Sequence, residues 1–447
     1  MLSRLSQRRA ALAGALRADA LASVVVFLVA LPLCMGVAIA SGAPPAAGLI
    51  TGIVGGLVVG TLAGSPLQVS GPAAGLSVIV WELLREHGAA GLGVIVLLAG
   101  LMQLAAGAMR LGQWFRAVSP AVIHGMLAGI GVLIIASQFH VMVDDGPKGS
   151  GLDNLLSIPA AVLRGIAPPT GTTHHIAATV GLATIAAIVL WTRVAPPRLK
   201  AIPAPLVAVA AATAVAAALA LPVRYVSVPE NLWDAVRLPT ADAVQTALSA
   251  SVLGAAAALA AVASAETLLC AAAVDQKHAG PRTDYDRELM AQGVGNAVCG
   301  VLGALPLTGV IVRSSANVDA GARTRLSAVL HGAWILAFVV LLPGVLERIP
   351  VSALAAVLVY TGYKLVNPVA VRALAAHGRA ELAIYAATVT GIVTTDLLTG
   401  VLLGVALSVA KLVYTFTHLD ATVVEGTAPG SYVVALSRDP EPMSSAA

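Results

Sequence analysis

The stretch "GALPLTGVIVRSSANV", residues 303–318, sets an arginine inside an apolar run that begins with a Gly/Pro-interrupted extended segment and ends in a pattern that can coil. Far upstream, "GSPLQVSGPAAGLSVIVWELL" (64–84) has the same order of glycine, proline, extended run and small residues leading into a helical pattern. Neither is long enough to cross about 30 Å of hydrocarbon as a helix, which takes roughly 20 apolar residues. Short, interrupted segments at corresponding places in two halves of a membrane chain point to a midplane site. "LQVSG" and "LPLTG" are each expected to carry the chain to mid-membrane, where a half-helix starts. Ser70 and Thr308 are read as caps of those half-helices. Pro72 suits the first turn of the earlier one, where its missing N–H has no intrahelical partner to lose.

The rest of the chain has the composition of a membrane protein. Of 447 residues, 58% are hydrophobic and only 11% charged, and mean hydropathy is +0.90, far from the balance of soluble domains. The basic head "MLSRLSQRRAALAGALRADA" leads into a long apolar segment with no cleavage signature, so it is read as a retained first helix. Cys34, Cys270 and Cys299 fall in apolar segments at unrelated spacings and suggest neither disulfides nor zinc. The net charge of +4 concerns the sidedness of the membrane rather than nucleic acid.

Apolar runs set off by Gly, Pro and charge give spans near 20–40, 46–64, 73–86, 90–109, 119–141, 173–193 and 201–222, then 247–273, 288–304, 309–319, 325–343, 350–364, 380–396 and 398–417. The expected fold is therefore an all-α polytopic membrane protein of fourteen segments in a 7+7 inverted repeat. Its parts are a cytoplasmic N-terminus (1–17), a first repeat (18–222), a periplasmic connection (223–246), a second repeat (247–418) and a short cytoplasmic tail (419–447). With the N-terminus inside, 19 Lys and Arg face the cytoplasm, six face outward, and Arg313 alone lies at membrane depth. That bias sets an inner-membrane topology with both termini cytoplasmic.

Opposed half-helices would bring two sets of free N–H groups and two positive dipole ends into one small volume, an anion site built from backbone. The residues expected there are Ser70, Gly71, Ala73, Ala74, Thr308, Gly309, Val310, Arg313 and Ser314. Small side chains at 71, 73, 74, 75 and 309 permit close approach, as they also do in plain helix packing. A charge at the bilayer centre costs at least about 2.5–3.5 kcal/mol, so Arg313 needs compensation. Glu266, in "ALAAVASAETLLCAAAV", is the other ionisable group read at that depth and the expected partner. An ionised Glu266 would neutralise Arg313; a protonated one would leave Arg313 to hold an anion, coupling proton to substrate. A purely structural bridge is the alternative. Asp396 fits a helix boundary. His124 and His331 read as interfacial or packing residues, His174 and His175 as an outside loop, and Trp81, Trp114, Trp191 and Trp334 as interfacial anchors. "VDQKHAGPRTDYDRE" (274–288) reads as a solvated loop.

Five stretches together resemble the sulfate permease (SulP) family of inorganic anion transporters: "ALPLCMGVAIASGAPPAAGL" (30–49), "QVSGPAAGLSVIV" (68–80), "SPAVIHGMLAGIGVLI" (119–134), "ASAETLL" (263–269) and "LTGVIVRSSANVDAGARTRLSAVLHG" (307–332). The resemblance covers about 17–418. It implies a core domain (spans one to four and eight to eleven) moving as an elevator against a gate domain (five to seven and twelve to fourteen), within a homodimer. It also implies an anion held beside Arg313. Glutamate at 266 with the arginine present is the pairing of proton-coupled members, whereas sodium-coupled ones carry aspartate and lack the arginine. Leu33, Val37 and Ala73 depart from the polar or aromatic residues common at those places. The cytoplasmic STAS domain usual in the family is expected to be a remnant or a truncated start, with "SYVVALS" as its first strand.

The expected function is secondary active transport of a small inorganic oxyanion, bicarbonate or sulfate, by proton-coupled symport. Sodium-coupled bicarbonate symport, anion exchange and an uncoupled channel-like protein stay open. Partners are the anion, the coupling proton and the bilayer, without nucleic acid. No nucleotide loop, metal cluster or nucleophile constellation suggests a cofactor or an enzyme.

Overall fold

The computed structural model describes residues 2–113, 119–148, 150–167, 173–196, 199, 202–227, 229, 231–241, 245–417, 420–425 and 432–437. Among them, eight helices are long and apolar enough to cross a membrane: Gly14–Ala40, Pro45–Leu62, Ala74–Ala108, Pro120–Met142, His174–Val194, Ala250–Asp275, Val351–Ala376 and Leu397–Thr415. Shorter helices occupy the remaining predicted segments: Ala204–Ala218, Tyr285–Val301, Ile311–Asp319, Leu326–Leu341 and Arg379–Thr394. The 74–108 stretch is two helices in one run. Gly88 breaks it with φ +66° and ψ −179°, a backbone conformation that side chains resist, so the predicted boundary between residues 86 and 90 coincides with a real break.

The two interrupted segments meet as strands. β1 (Ser70–Pro72) pairs antiparallel with β2 (Leu307–Gly309), Gly71 lying opposite Thr308. After β1 the chain makes a 3-10 turn at Ala74–Leu76 before the helix proper at Ser77; after β2 the helix Ile311–Asp319 starts at once. The Ile311–Asp319 helix is followed by another positive-φ glycine, Gly321, at +87°. Both crossings therefore share the order strand, short helix, glycine, long helix.

Small residues set how closely the surrounding helices approach. Gly93 faces Gly300, Gly100 faces Gly293 and Gly107 faces Asp286, and a Cβ added at any of the three would lie within 3.0 Å of the opposing helix's backbone. Seven-residue spacing places those glycines on one face, two turns apart, and the falling partner numbers show that 89–108 and Tyr285–Val301 run antiparallel with backbones in contact. Similarly, a π-turn at Gly55–Val59 lets Gly55 abut the Ser70 carbonyl, where a Cβ would come within 2.4 Å.

Helices pack mainly within two groups. One comprises 14–40, 45–62, 74–108, 250–275, 285–301, 311–319 and 326–341 with β1 and β2. The other comprises 120–142, 174–194, 204–218, 351–365, 379–394 and 397–417. Beyond the last helix, Asp420–Glu425 pairs antiparallel with Tyr432–Ser437, so "YVVALS" is one half of a two-stranded ribbon rather than a lone strand.

Candidate functional site

Where the two groups meet, a cavity of about 50 Å³ lies between the strand pair and the second group. The first group contributes Leu33, Val37, Pro72, Ala74, Gly75, Glu266 and Val310 to Arg313; the second faces them with Leu127, Ile130, Ile134, Leu358, Thr361 and Leu365. Arg313 sits in the first turn of its helix and is wholly buried. None of its three guanidinium nitrogens meets a hydrogen-bond partner among the described residues. The guanidinium crosses to β1, where a Cβ on Gly71 would lie 2.1 Å from Nη1. Only glycine leaves room for it at 71.

Glu266 is 9% exposed and packs on the neighbouring glycine, where a Cβ at Gly75 would lie 2.9 Å from its Oε1 and equally close to Ile130. Its Oε2 has no partner among the described residues. The expected Arg313–Glu266 ion pair is therefore not formed: both line one cavity, but they rest on different glycines four residues apart. A buried guanidinium without a hydrogen-bond partner is costly; this one, with five donors, lies against Gly71 and within electrostatic reach of the buried Cys34 and His331.

Of the other expected site residues, Ala74 and Val310 line the cavity. Ser70, Ala73, Thr308, Gly309 and Ser314 are buried behind it. Ser70 and Thr308 are not helix caps. Ser70 Oγ accepts from Gln292 Nε2 at 2.6 Å, and Thr308 Oγ1 donates to the Gly309 carbonyl. The helix starts at Ala74 and Ile311 have no side-chain cap, which leaves their N–H groups to whatever occupies the cavity. Pro72 lies in the strand, ahead of the first turn. Ser314 staples the crossings, accepting from Val69 N at 2.9 Å and donating to Val310 O at 2.8 Å.

Behind the strands stands a polar stripe that sequence reasoning misses. Glu288, Gln292 and Asn296 recur every fourth residue, on one face of helix Tyr285–Val301, and all three are buried. Glu288, predicted to end a solvated loop, is 0% exposed and accepts from Ser65 N (2.9 Å), Gln68 Nε2 (3.0 Å) and Gln292 Nε2 (2.8 Å). It is thus a further buried ionisable group besides Arg313 and Glu266. Asn296 holds both backbone groups of Leu307: its Nδ2 donates to the carbonyl at 3.0 Å and its Oδ1 accepts the N–H at 2.7 Å. Thr267, next to Glu266, accepts the Gly309 N–H at 3.1 Å.

Among the described residues no histidine lines the cavity, although His331 lies within electrostatic reach of Arg313. His331 is buried against Gly56 and bonded to the Ala328 carbonyl. His174 begins a helix rather than lying in a loop, and its Nδ1 pairs with the Val143 carbonyl at 2.9 Å. Asp396 caps the last helix by accepting from Thr399 N at 2.9 Å. Trp114 lies outside the described residues.

A family model described as the sulfate permease family matches residues 16–388. A Mycobacterium tuberculosis (strain H37Rv) protein named "Probable sulfate transporter Rv1739c" is 28% identical over 424 residues, covering 93% of this chain and 73% of that protein. The bicarbonate transporter BicA of Synechocystis is 25% identical over 369 residues, 79% of this chain and 62% of its own. The solved transmembrane domain of a cyanobacterial BicA superposes with TM-score 0.69 at 22% identity, over 87% of this chain and 97% of that one.

Proposed function

This chain belongs to the sulfate permease family, and from that premise we propose a secondary active transporter that moves a small inorganic oxyanion, bicarbonate or sulfate, with protons. Kinship alone makes the protein a multi-pass membrane transporter of anions, not an enzyme. One observation carries the finer reading, the fully buried Arg313, whose guanidinium has no hydrogen-bond partner among the described residues, in the wall of a cavity between two helix groups. Uncapped helix starts at Ala74 and Ile311 supply further N–H donors and positive dipole ends.

Charge balance ranks the substrates. Arg313 is the one fixed positive charge lining the cavity among the described residues. A proton on Glu266 leaves one net positive charge, which a monoanion cancels and a divalent anion exceeds by one. Moving an uncompensated charge through a low-dielectric site is expensive, so bicarbonate is the better fit. Movement of the first helix group past the second, as an elevator with fourteen spans in two inverted repeats and both termini cytoplasmic, is the accompanying proposal. The division of the helices into two packing groups with the cavity between them supports it.

The test is uptake of labelled bicarbonate and of labelled sulfate into proteoliposomes, under an inward proton gradient, a sodium gradient or neither, by wild type and Glu266→Gln. Proton-driven accumulation that is lost in Glu266→Gln supports the reading. Accumulation that follows sodium, or a Glu266→Gln variant as active as wild type, overturns the proton coupling.

A further inference from the structure

A second and larger space, about 580 Å³, adjoins the cavity. Ile311, Val312, Thr361 and Leu365 line both. From there it follows one face of the 311–319 helix, past Ser315, to Asp319 at that helix's end. That end leads to Arg323 and Arg325, within the charge-rich face that the arginine and lysine bias assigns to the cytoplasm. The opposite wall is the C-terminal turn of helix 351–365 together with Trp191 and the entry to helix 204–218.

Among the described residues two charged side chains line this crevice, and they are not equivalent. Asp319 is tied to Lys277 at 3.2 Å, outside the lining. Lys364 has no carboxylate within ion-pairing distance among the described residues; its Nζ instead lies 4.9 Å from the centroid of the Tyr360 ring, and both Tyr360 and Lys364 line the crevice. A ring face under an ammonium restrains its position while leaving its N–H donors free for an anion. Net positive potential in a cleft with low-dielectric walls concentrates anions. We propose that Lys364, held over Tyr360, forms a waiting site for small oxyanions at the cytoplasmic mouth, one step before Arg313.

This proposal rests on the reading that Arg313 receives the anion. Lys364 acts on arrival and departure from one side only. Neutralising it therefore raises the KM measured from the crevice side by about tenfold, an effect that shrinks in high salt, and leaves the KM from the other side unchanged. Lys364→Arg keeps the wild-type KM.

The experiment measures bicarbonate and sulfate exchange in proteoliposomes of defined protein orientation, with substrate varied on either face, for wild type, Lys364→Gln, Lys364→Arg and Lys364→Cys. Treating Lys364→Cys with a cationic thiosulfonate should restore the low KM, and an anionic one should raise it further. The wild type is the control, since its Cys34, Cys270 and Cys299 are buried. A KM that changes equally from both faces, or from neither, overturns the proposal. Failure of the underlying reading looks different: Arg313→Gln would transport like wild type, and the waiting site would lose its destination.

Discussion

The crossing around β1 offers the cavity Pro72, Ala74 and Gly75, while the crossing around β2 offers Val310, two further aliphatic residues and Arg313. The first is nearly all backbone and methyl; the second holds the charge. Arg313 reaches across to the first crossing and fills the space that Gly71 leaves. The same order of elements has thus been put to two uses, room on one side and charge on the other. Size should be the sensitive property at 71 and 75, and charge at 313.

The largest effects test that division directly. Arg313→Gln removes the fixed charge and should lower labelled-anion uptake by about 100-fold, the equivalent of a charged hydrogen bond near 3 kcal/mol. Gly71→Ala should be nearly as severe without touching any charge, because its methyl would fall 2.1 Å from Nη1 and displace the guanidinium. If Gly71→Ala transports at more than a tenth of the wild-type rate, the crossings are not complementary in the way described.

The crossings are also anchored differently. β2 is held by Asn296 at both backbone groups of Leu307, whereas β1 is held through the Ser70 side chain by Gln292. Asn296→Ala strands a buried N–H and a buried carbonyl and should cost about 2–4 kcal/mol. Gln292→Ala should cost nearer 1–2 kcal/mol, since Ser70 retains a rotatable hydroxyl. Thermal unfolding of the purified protein in detergent gives the order, and equal losses would erase the contrast.

Much of this architecture is legible in the amino-acid sequence. Apolar length and Gly/Pro punctuation locate the helices and the two crossings, because both signals are local. What escapes is set by partners far along the chain. Whether Ser70 caps a helix or receives Gln292 depends on a residue 222 positions away, and the β1–β2 pairing joins segments separated by most of the molecule. Arg313 and Glu266 can be placed at one depth, but depth does not say which way a side chain points, so their ion pair is expected and yet absent. Glu288 is hidden by its neighbours: it closes a run rich in charge, and only its four-residue spacing to Gln292 and Asn296 marks it as the start of a buried stripe.

A smaller effect separates pH dependence in transport from pH dependence in the fold. Asp145, in the loop after helix 120–142, accepts from Gly146 N at 2.8 Å and pairs with Lys148 at 3.3 Å and Arg164 at 2.6 Å, with His140 Nδ1 3.7 Å away. Burial alone would raise its pKa, but the Gly146 N–H and the two cations outweigh that and hold it below the usual carboxylate value of 3.8. The depressed value means that the folded protein favours the ionised form. The resulting stability is complete above the ordinary carboxylate range and is lost as pH falls through the folded value. Asp145→Asn should therefore lower stability by about 1 kcal/mol at neutral pH, read as a small drop in Tm, with the gap to wild type closing only below pH 3.8. Between pH 5 and pH 8 this carboxylate adds a constant. A transport profile that bends in that interval in wild type and in Asp145→Asn alike, but flattens in Glu266→Gln, then belongs to the cavity between the crossings; a bend that moves with Asp145 would return it to the loop.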